Sequence, residues 1–161
     1  MLQEFAASRQ TLVTPRVGSG LVRALYSTYV SYLPMSAFDY PLPMHADARG
    51  TFVEMLKTPD CGQFSYFTAH PGVTRGEHYH HTKTEKFLVL QGEAIIRFRH
   101  ILNGEIIEYA VRDEDYRVLD IPTGYTHSIE NVGNGELVTL FWASEVFDSG
   151  RPDTFWEEVL R

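Results

Sequence analysis

His78, His80 and Glu85 fall close together in the stretch GVTRGEHYHHTKTEKFLVLQG, residues 72–92, and His127 follows in IPTGYTHSIEN. Two imidazoles and a carboxylate at such short range, with a third imidazole further on, form a donor set for a borderline or hard divalent cation; zinc is the ion expected. One residue separates His78 from His80, so on a strand both point to the same face. Glu85 opens an apolar segment, Phe87–Leu90, expected to run back alongside them. If the ion is zinc, the ligand distances should be about 2.0–2.2 Å. Four protein ligands leave room for a substrate atom only if the coordination expands. Otherwise the ion merely clamps the strands together, and the residues do not choose between these two roles.

The elements that must position these ligands are short strands. The segments 51–57, 63–70, 77–81, 85–90, 93–101, 105–111, 116–121, 126–132 and 137–143 carry β-forming residues. Turn residues such as Pro59-Asp60-Cys61-Gly62, Pro71-Gly72, Asn103-Gly104 and Gly133-Asn134-Gly135 separate them. Gln91-Gly92 is expected to close a hairpin; a two-residue turn there pairs Glu85 with Phe98 and sends Arg97 and Arg99 outward. This run of strands, with no strand–helix alternation, implies a closed antiparallel double sheet, a jelly roll. The ligand spacing resembles the two cupin motifs. The first, G-x5-H-x-H-x4-E-x6-G, is met in full by Gly72, His78, His80, Glu85 and Gly92. The second, G-x5-P-x-G-x2-H-x3-N, is met from Pro122 through Gly124, His127 and Asn131, with Tyr116 in place of its first glycine. The expected fold is therefore all-β, a cupin over residues 35–161, preceded by an arm at residues 1–34. In that arm Leu21, Leu25, Tyr29 and Leu33 recur at helical spacing between Ser19 and Pro34. A short C-terminal helix over DTFWEEVL, capped by Asp153, is also expected.

A chain of 161 residues with 14 basic and 21 acidic side chains, net charge −7, suits one domain and disfavours nucleic acid as a partner. An acidic protein that holds an anionic ligand must do so with local Arg or Lys rather than with its overall field. The single cysteine, Cys61, fits a reducing compartment, and no segment reads as a signal peptide or a membrane span, so a cytoplasmic location is expected. Gly18-Ser19-Gly20 lacks a preceding strand, so no NAD(P) site is expected.

More specific than the cupin spacing are the segments SYLP (31–34), KTPDCGQFSYF (57–67), EHYHHTKTEKFLVLQGEAIIRFRH (77–100) and DIPTGYTHSIEN (120–131). They resemble the C-terminal cupin of the bifunctional CapF/WbjC family of capsule and O-antigen biosynthesis, over about residues 20–160. In that family an N-terminal short-chain reductase domain uses NADPH at carbon 4 of a UDP-linked keto sugar, and the zinc-bearing cupin first epimerises carbon 3. The resemblance implies the epimerase half here, without the reductase activity, and leaves room for a separate reductase as partner. Epimerisation needs proton carriers. Tyr66, on the strand before the His pair, and Lys83, in the loop between His80 and Glu85, are the candidates. Arg97, Arg99 and His100 form a basic cluster suited to a diphosphate. The α-helical arm predicts a homodimer. A non-catalytic sugar-binding cupin that keeps the metal as a staple, or another metal cupin enzyme such as an isomerase or dioxygenase, remain as alternatives.

Overall fold

In Leu137–Ala143 every second side chain is buried, the period of a strand that lays one face on a core. Gly62–Ala69 and Glu85–Gln91 alternate in the same way over most of their length. The computed structural model, which describes residues 1–161, assembles eleven such strands into two facing sheets. They are β1 (Met44–Asp47), β2 (Gly50–Thr58), β3 (Gly62–Ala69), β4 (Thr74–Tyr79), β5 (Glu85–Gln91), β6 (Glu93–His100), β7 (Ile106–Arg112), β8 (Val118–Ile121), β9 (Tyr125–Asn131), β10 (Leu137–Ala143) and β11 (Phe155–Trp156). One sheet has the order β1-β2-β3-β10-β5-β8, the other β11-β4-β9-β6-β7, and every pairing is antiparallel. Fourteen buried apolar residues, among them Phe67, Phe87, Ile96, Phe98, Ile121, Ile129 and Phe141, fill the space between the sheets. This is the jelly roll that the strand pattern implies.

Gln91-Gly92 does not close a hairpin. β5 pairs with β10 and β8, whereas β6 pairs with β9 and β7, so the chain crosses from one sheet to the other at Gly92. Glu85 therefore lies opposite Ile121 and Ala143, and Phe98 lies opposite His127. A two-residue gap looks the same in sequence whether the chain folds back on itself or steps across a barrel. The Asn103-Gly104 turn does join a hairpin, β6 to β7.

The arm contains two helices, α1 (Leu2–Thr11) and α2 (Gly20–Ser31). The spacing that reveals α2 is absent from α1, whose buried side chains are only Phe5 and Ser8. Phe5 is fully buried, with its ring 5.2 Å from that of Tyr26 and 5.8 Å from that of Tyr29. Val13 bridges to Lys57 and so ties the arm to β2. No helix is long and apolar enough to cross a membrane.

The C-terminal segment is not helical. Phe155 and Trp156 form β11 against Tyr79 and His78 of β4. Asp153 does not cap a helix; its carboxylate accepts the backbone N–H groups of His81, Thr82 and Lys83 at 2.8–2.9 Å and the Thr82 hydroxyl at 2.9 Å. Beyond it, the Val159 N–H donates to the Glu77 carboxylate at 2.6 Å, and Val159 is fully buried. Docking against β4 supplies this segment with the hydrogen bonds and burial that a helical turn would otherwise provide.

Candidate metal centre

β4 and β9 run side by side in one sheet, and β5 faces them from the other. His78 stands directly opposite His127 across the β4–β9 pair. His80 follows the end of β4, and its carbonyl accepts the Gly124 N–H at 3.1 Å. Glu85 enters from the opposite sheet, not alongside the histidines, so the cluster bridges the two layers. The four side chains each offer a ligand atom, and all of these atoms lie within 4.8 Å of one another. The His80 Nε2 and His127 Nε2 atoms are each 3.5 Å from a Glu85 carboxylate oxygen.

A bulge in β4 makes this convergence possible. Arg75 lies opposite Ile129 and Gly76 opposite Ser128, and the register then shifts so that His78 meets His127. The extra residue, Glu77, has a left-handed backbone with φ 58°, and Gly76 has φ 95°. Arg75 and His78, three residues apart, thereby share the inward face with Ile129 and His127. A Cβ on Gly76 would sit 2.7 Å from the His127 carbonyl oxygen, so only glycine fits there.

The donor atoms fit a cation. The Nε2 of His80 and both ring nitrogens of His127 are buried without any protein partner, a costly state for imidazole unless something else engages them. His80 donates its Nδ1–H to the Asp153 carbonyl, which fixes the tautomer and leaves Nε2 as a lone-pair donor aimed into the cluster. Burial, reinforced by the neighbouring His127 and His80, lowers His78 to about 4, so that it is neutral as a ligand must be. Burial alone would raise the Glu85 carboxyl, but its contacts with His127 and His80 outweigh that and hold it below the usual carboxylate range.

Two cavity lobes meet at His78 and Glu85. The first, about 210 Å³, has an aromatic wall that includes Phe52, Phe67 and Phe141, and it is also lined by Arg49 and Arg75. The second, about 190 Å³, is lined by Glu54, Gln63, Lys83 and Thr154. Lys83 is only 8 % exposed; its Nζ lies 3.7 Å from Glu85 Oε1 and donates to Thr154 Oγ1 at 3.3 Å. Lys83 is thus brought to the cluster.

Tyr66 is not. It pairs with Val53 and Leu140 on the outer face of its sheet, whereas its neighbour Phe67 faces the cavity. Strand parity excludes it from the site. The basic cluster is also committed elsewhere. Arg97 is held between Glu108 and Glu130 at 2.5 Å from each. Arg99 donates to the Glu157 carboxylate at 2.9 Å and to the Val159 and Glu158 carbonyls at 2.9 and 2.6 Å. The His100 ring packs edge-on against Tyr125 and its Nδ1 accepts the Leu102 and Asn103 N–H groups. Both arginines point outward from β6, although the Glu85–Phe98 pairing from which that was expected does not form, and carboxylates occupy them there. His81 is also outside the cluster, its ring against Tyr79 and Phe155. Arg49, Arg75 and Glu54 line the cavity without being singled out by the sequence. The only available signal was Arg75-Gly76 immediately before the His pair, a glycine inside a strand that marks a bulge.

A two-sheet jelly roll with three imidazoles and one carboxylate buried between its layers defines a cupin fitted to hold a metal ion. A likeness in fold alone extends to the Drosophila melanogaster CENP-C cupin domain, 17% identical with a TM-score of 0.54 over 64% of this chain and 70% of that one. Much nearer is a Pseudomonas aeruginosa protein named UDP-2-acetamido-2,6-beta-L-arabino-hexul-4-ose reductase, 59% identical over 96% of this chain and 41% of its own length. The crystal structure of capsular polysaccharide assembling protein CapF from Staphylococcus aureus superimposes with a TM-score of 0.93 at 50% identity, over 97% of this chain and 42% of that one. The chain thus spans about two-fifths of the length of these two relatives. Residues 45–155 match the polysaccharide biosynthesis C-terminal domain, and the chain belongs to that family.

Proposed function

We propose that this chain is a zinc-dependent sugar-nucleotide epimerase that exchanges the proton at carbon 3 of a UDP-linked 4-keto-6-deoxy-N-acetylhexosamine for surface polysaccharide assembly. One observation carries the reading: a His3Glu cluster in which His80 and His127 have ring nitrogens without protein partners opens, through His78 and Glu85, onto a cavity that also holds a buried lysine. The substrate class is supported by the family and by the Pseudomonas relative, whose name is that of a reductase of a hexul-4-ose nucleotide. A 3-epimerase is the class of enzyme that supplies such a ketone.

His78, His80, Glu85 and His127 would hold a divalent ion, whose Lewis acidity would polarise the 4-keto oxygen and acidify the neighbouring C–H bond. The chain's own residues handle the proton. Glu54, a half-buried carboxylate that lines the second lobe and lies 2.9 Å from Lys57, takes it from carbon 3. The electron pair delocalises toward the ketone oxygen. Lys83 returns a proton from its ammonium to the other face of carbon 3, so the hydrogen count of the sugar is unchanged. Reduction of carbon 4 is assigned to a short-chain reductase, in the same polypeptide or another.

Metal-loaded protein in heavy water should wash deuterium into carbon 3 of the keto sugar nucleotide without NADPH, read by mass spectrometry or proton NMR. Lys83→Met should slow the exchange at least about tenfold, while Tyr66→Phe leaves it unchanged. If every carbon-bound proton of the substrate stays in place, the epimerase reading fails.

A further inference from the structure

Arg75 is a half-buried arginine that makes no direct salt bridge. Arg97 lies between two carboxylates and Arg99 has Glu157, although both are on the outer face of their sheet. Arg75 faces inward, and its recorded contacts are one hydrogen bond to the Thr68 carbonyl at 3.2 Å and the Phe67 ring, 5.1 Å from its guanidinium carbon. A guanidinium carries five N–H donors, so most of its fork is free. A second cation, Arg49, lines the same lobe with Asp47 as its carboxylate partner, and the one carboxylate on the lobe, Glu85, faces His80 and His127. Two cations on a lobe whose one carboxylate is committed to the histidine cluster make a place that favours an added anion, even in a protein of net charge −7.

The bulge that brings His78 inward is the same one that keeps Arg75 on the inward face. A ligand reaching the metal cluster through this lobe must therefore pass the guanidinium. The ring wall beside Arg75 holds its fork in one plane, which suits bidentate contact with phosphate oxygens. We infer that Arg75, assisted by Arg49, is the anchor for a nucleoside diphosphate, gripping its phosphates while the attached group extends toward His78 and Glu85. The choice of a diphosphate over another anion rests on the epimerase reading above; the existence of an anion subsite does not.

The probes are UDP, inorganic pyrophosphate and uridine, titrated by calorimetry into the metal-loaded protein. Arg75→Gln should weaken UDP and pyrophosphate at least about tenfold, the expected loss of a charge-assisted bidentate contact. Metal content and melting temperature should remain as in the parent, and Arg75→Lys should recover only part of the affinity because a point charge lacks the fork. Uridine, with no phosphate, should bind equally weakly to all three proteins. In the exchange assay the same Arg75→Gln variant should raise KM with little change in kcat. UDP and pyrophosphate binding to Arg75→Gln as tightly as to the parent, or failing to bind the parent, would overturn the subsite. Arg75-dependent UDP binding in a protein that exchanges no proton would uphold the subsite and sink the epimerase reading instead.

Discussion

Tyr116 stands where the second cupin motif has glycine, and its backbone takes the left-handed conformation glycine favours, φ 49° and ψ 43°. The turn is built the same way with a less suitable residue. Its side chain is 86 % exposed and so has little packing to lose. A left-handed backbone costs an ordinary residue about 1–2 kcal/mol, and glycine gives back about 0.5–1 kcal/mol in unfolded-state entropy. Tyr116→Gly should therefore stabilise the protein by up to about 1 kcal/mol, a rise in melting temperature of about 2–4 °C; a lower value would contradict the account. The four side chains that converge in the cluster were legible as residues because coordination admits few side-chain types and the motif fixes their spacing. Lys83 was legible only as a neighbour of those ligands. Tyr66 was misplaced because a candidate proton carrier chosen by its chemistry says nothing about strand parity, and Arg75 was missed because the bulge that turns it inward reverses that parity.

At the level of elements, the C-terminal segment braces the metal centre. Asp153 gathers three consecutive amides of the loop after His80, and its carbonyl receives the His80 ring N–H. Burial would raise the Asp153 carboxyl, yet the amides of Lys83, His81 and Thr82 together hold it well below the usual range. Asp153→Ala removes those hydrogen bonds and frees the loop that carries both His80 and Lys83. Such outer partners of metal-bound histidine typically matter by 10–100-fold in affinity, so a loss of about that size is expected in competition with a chelator. Unchanged affinity would show that the loop holds itself. The nine central strands were legible from alternation and turn residues. The extended C-terminal segment was not: Asp153 and Glu157 fit a helix start, and the bonds that keep the segment extended come from residues about 70 positions earlier.

For the molecule as a whole, the arm is the unfinished part. No residue of α2 is buried, and Leu21, Tyr32, Met35 and Phe38 are all more than 60 % exposed. An apolar surface of this kind ahead of a β-barrel predicts a two-fold dimer packed through the arm. Light scattering at micromolar protein should give twice the chain mass of 18.4 kDa, and Leu21→Glu with Phe38→Glu should halve it; a monomeric parent would refute the assignment. The fold class was legible because a barrel repeats one pattern, while the helical spacing of Leu21, Leu25, Tyr29 and Leu33 reveals an apolar face on the arm without naming what covers it. The tail's grip on His80 also has a consequence for biosynthesis. His80 and Asp153 are separated by 73 positions, a stretch that takes a ribosome about 4–15 s at 5–20 residues per second. His78 and His80 lack their brace throughout that interval, and for about its first two-thirds they lack His127 as well. A cluster completed so late would take up an ion only after the nascent chain has closed its barrel with the last strand.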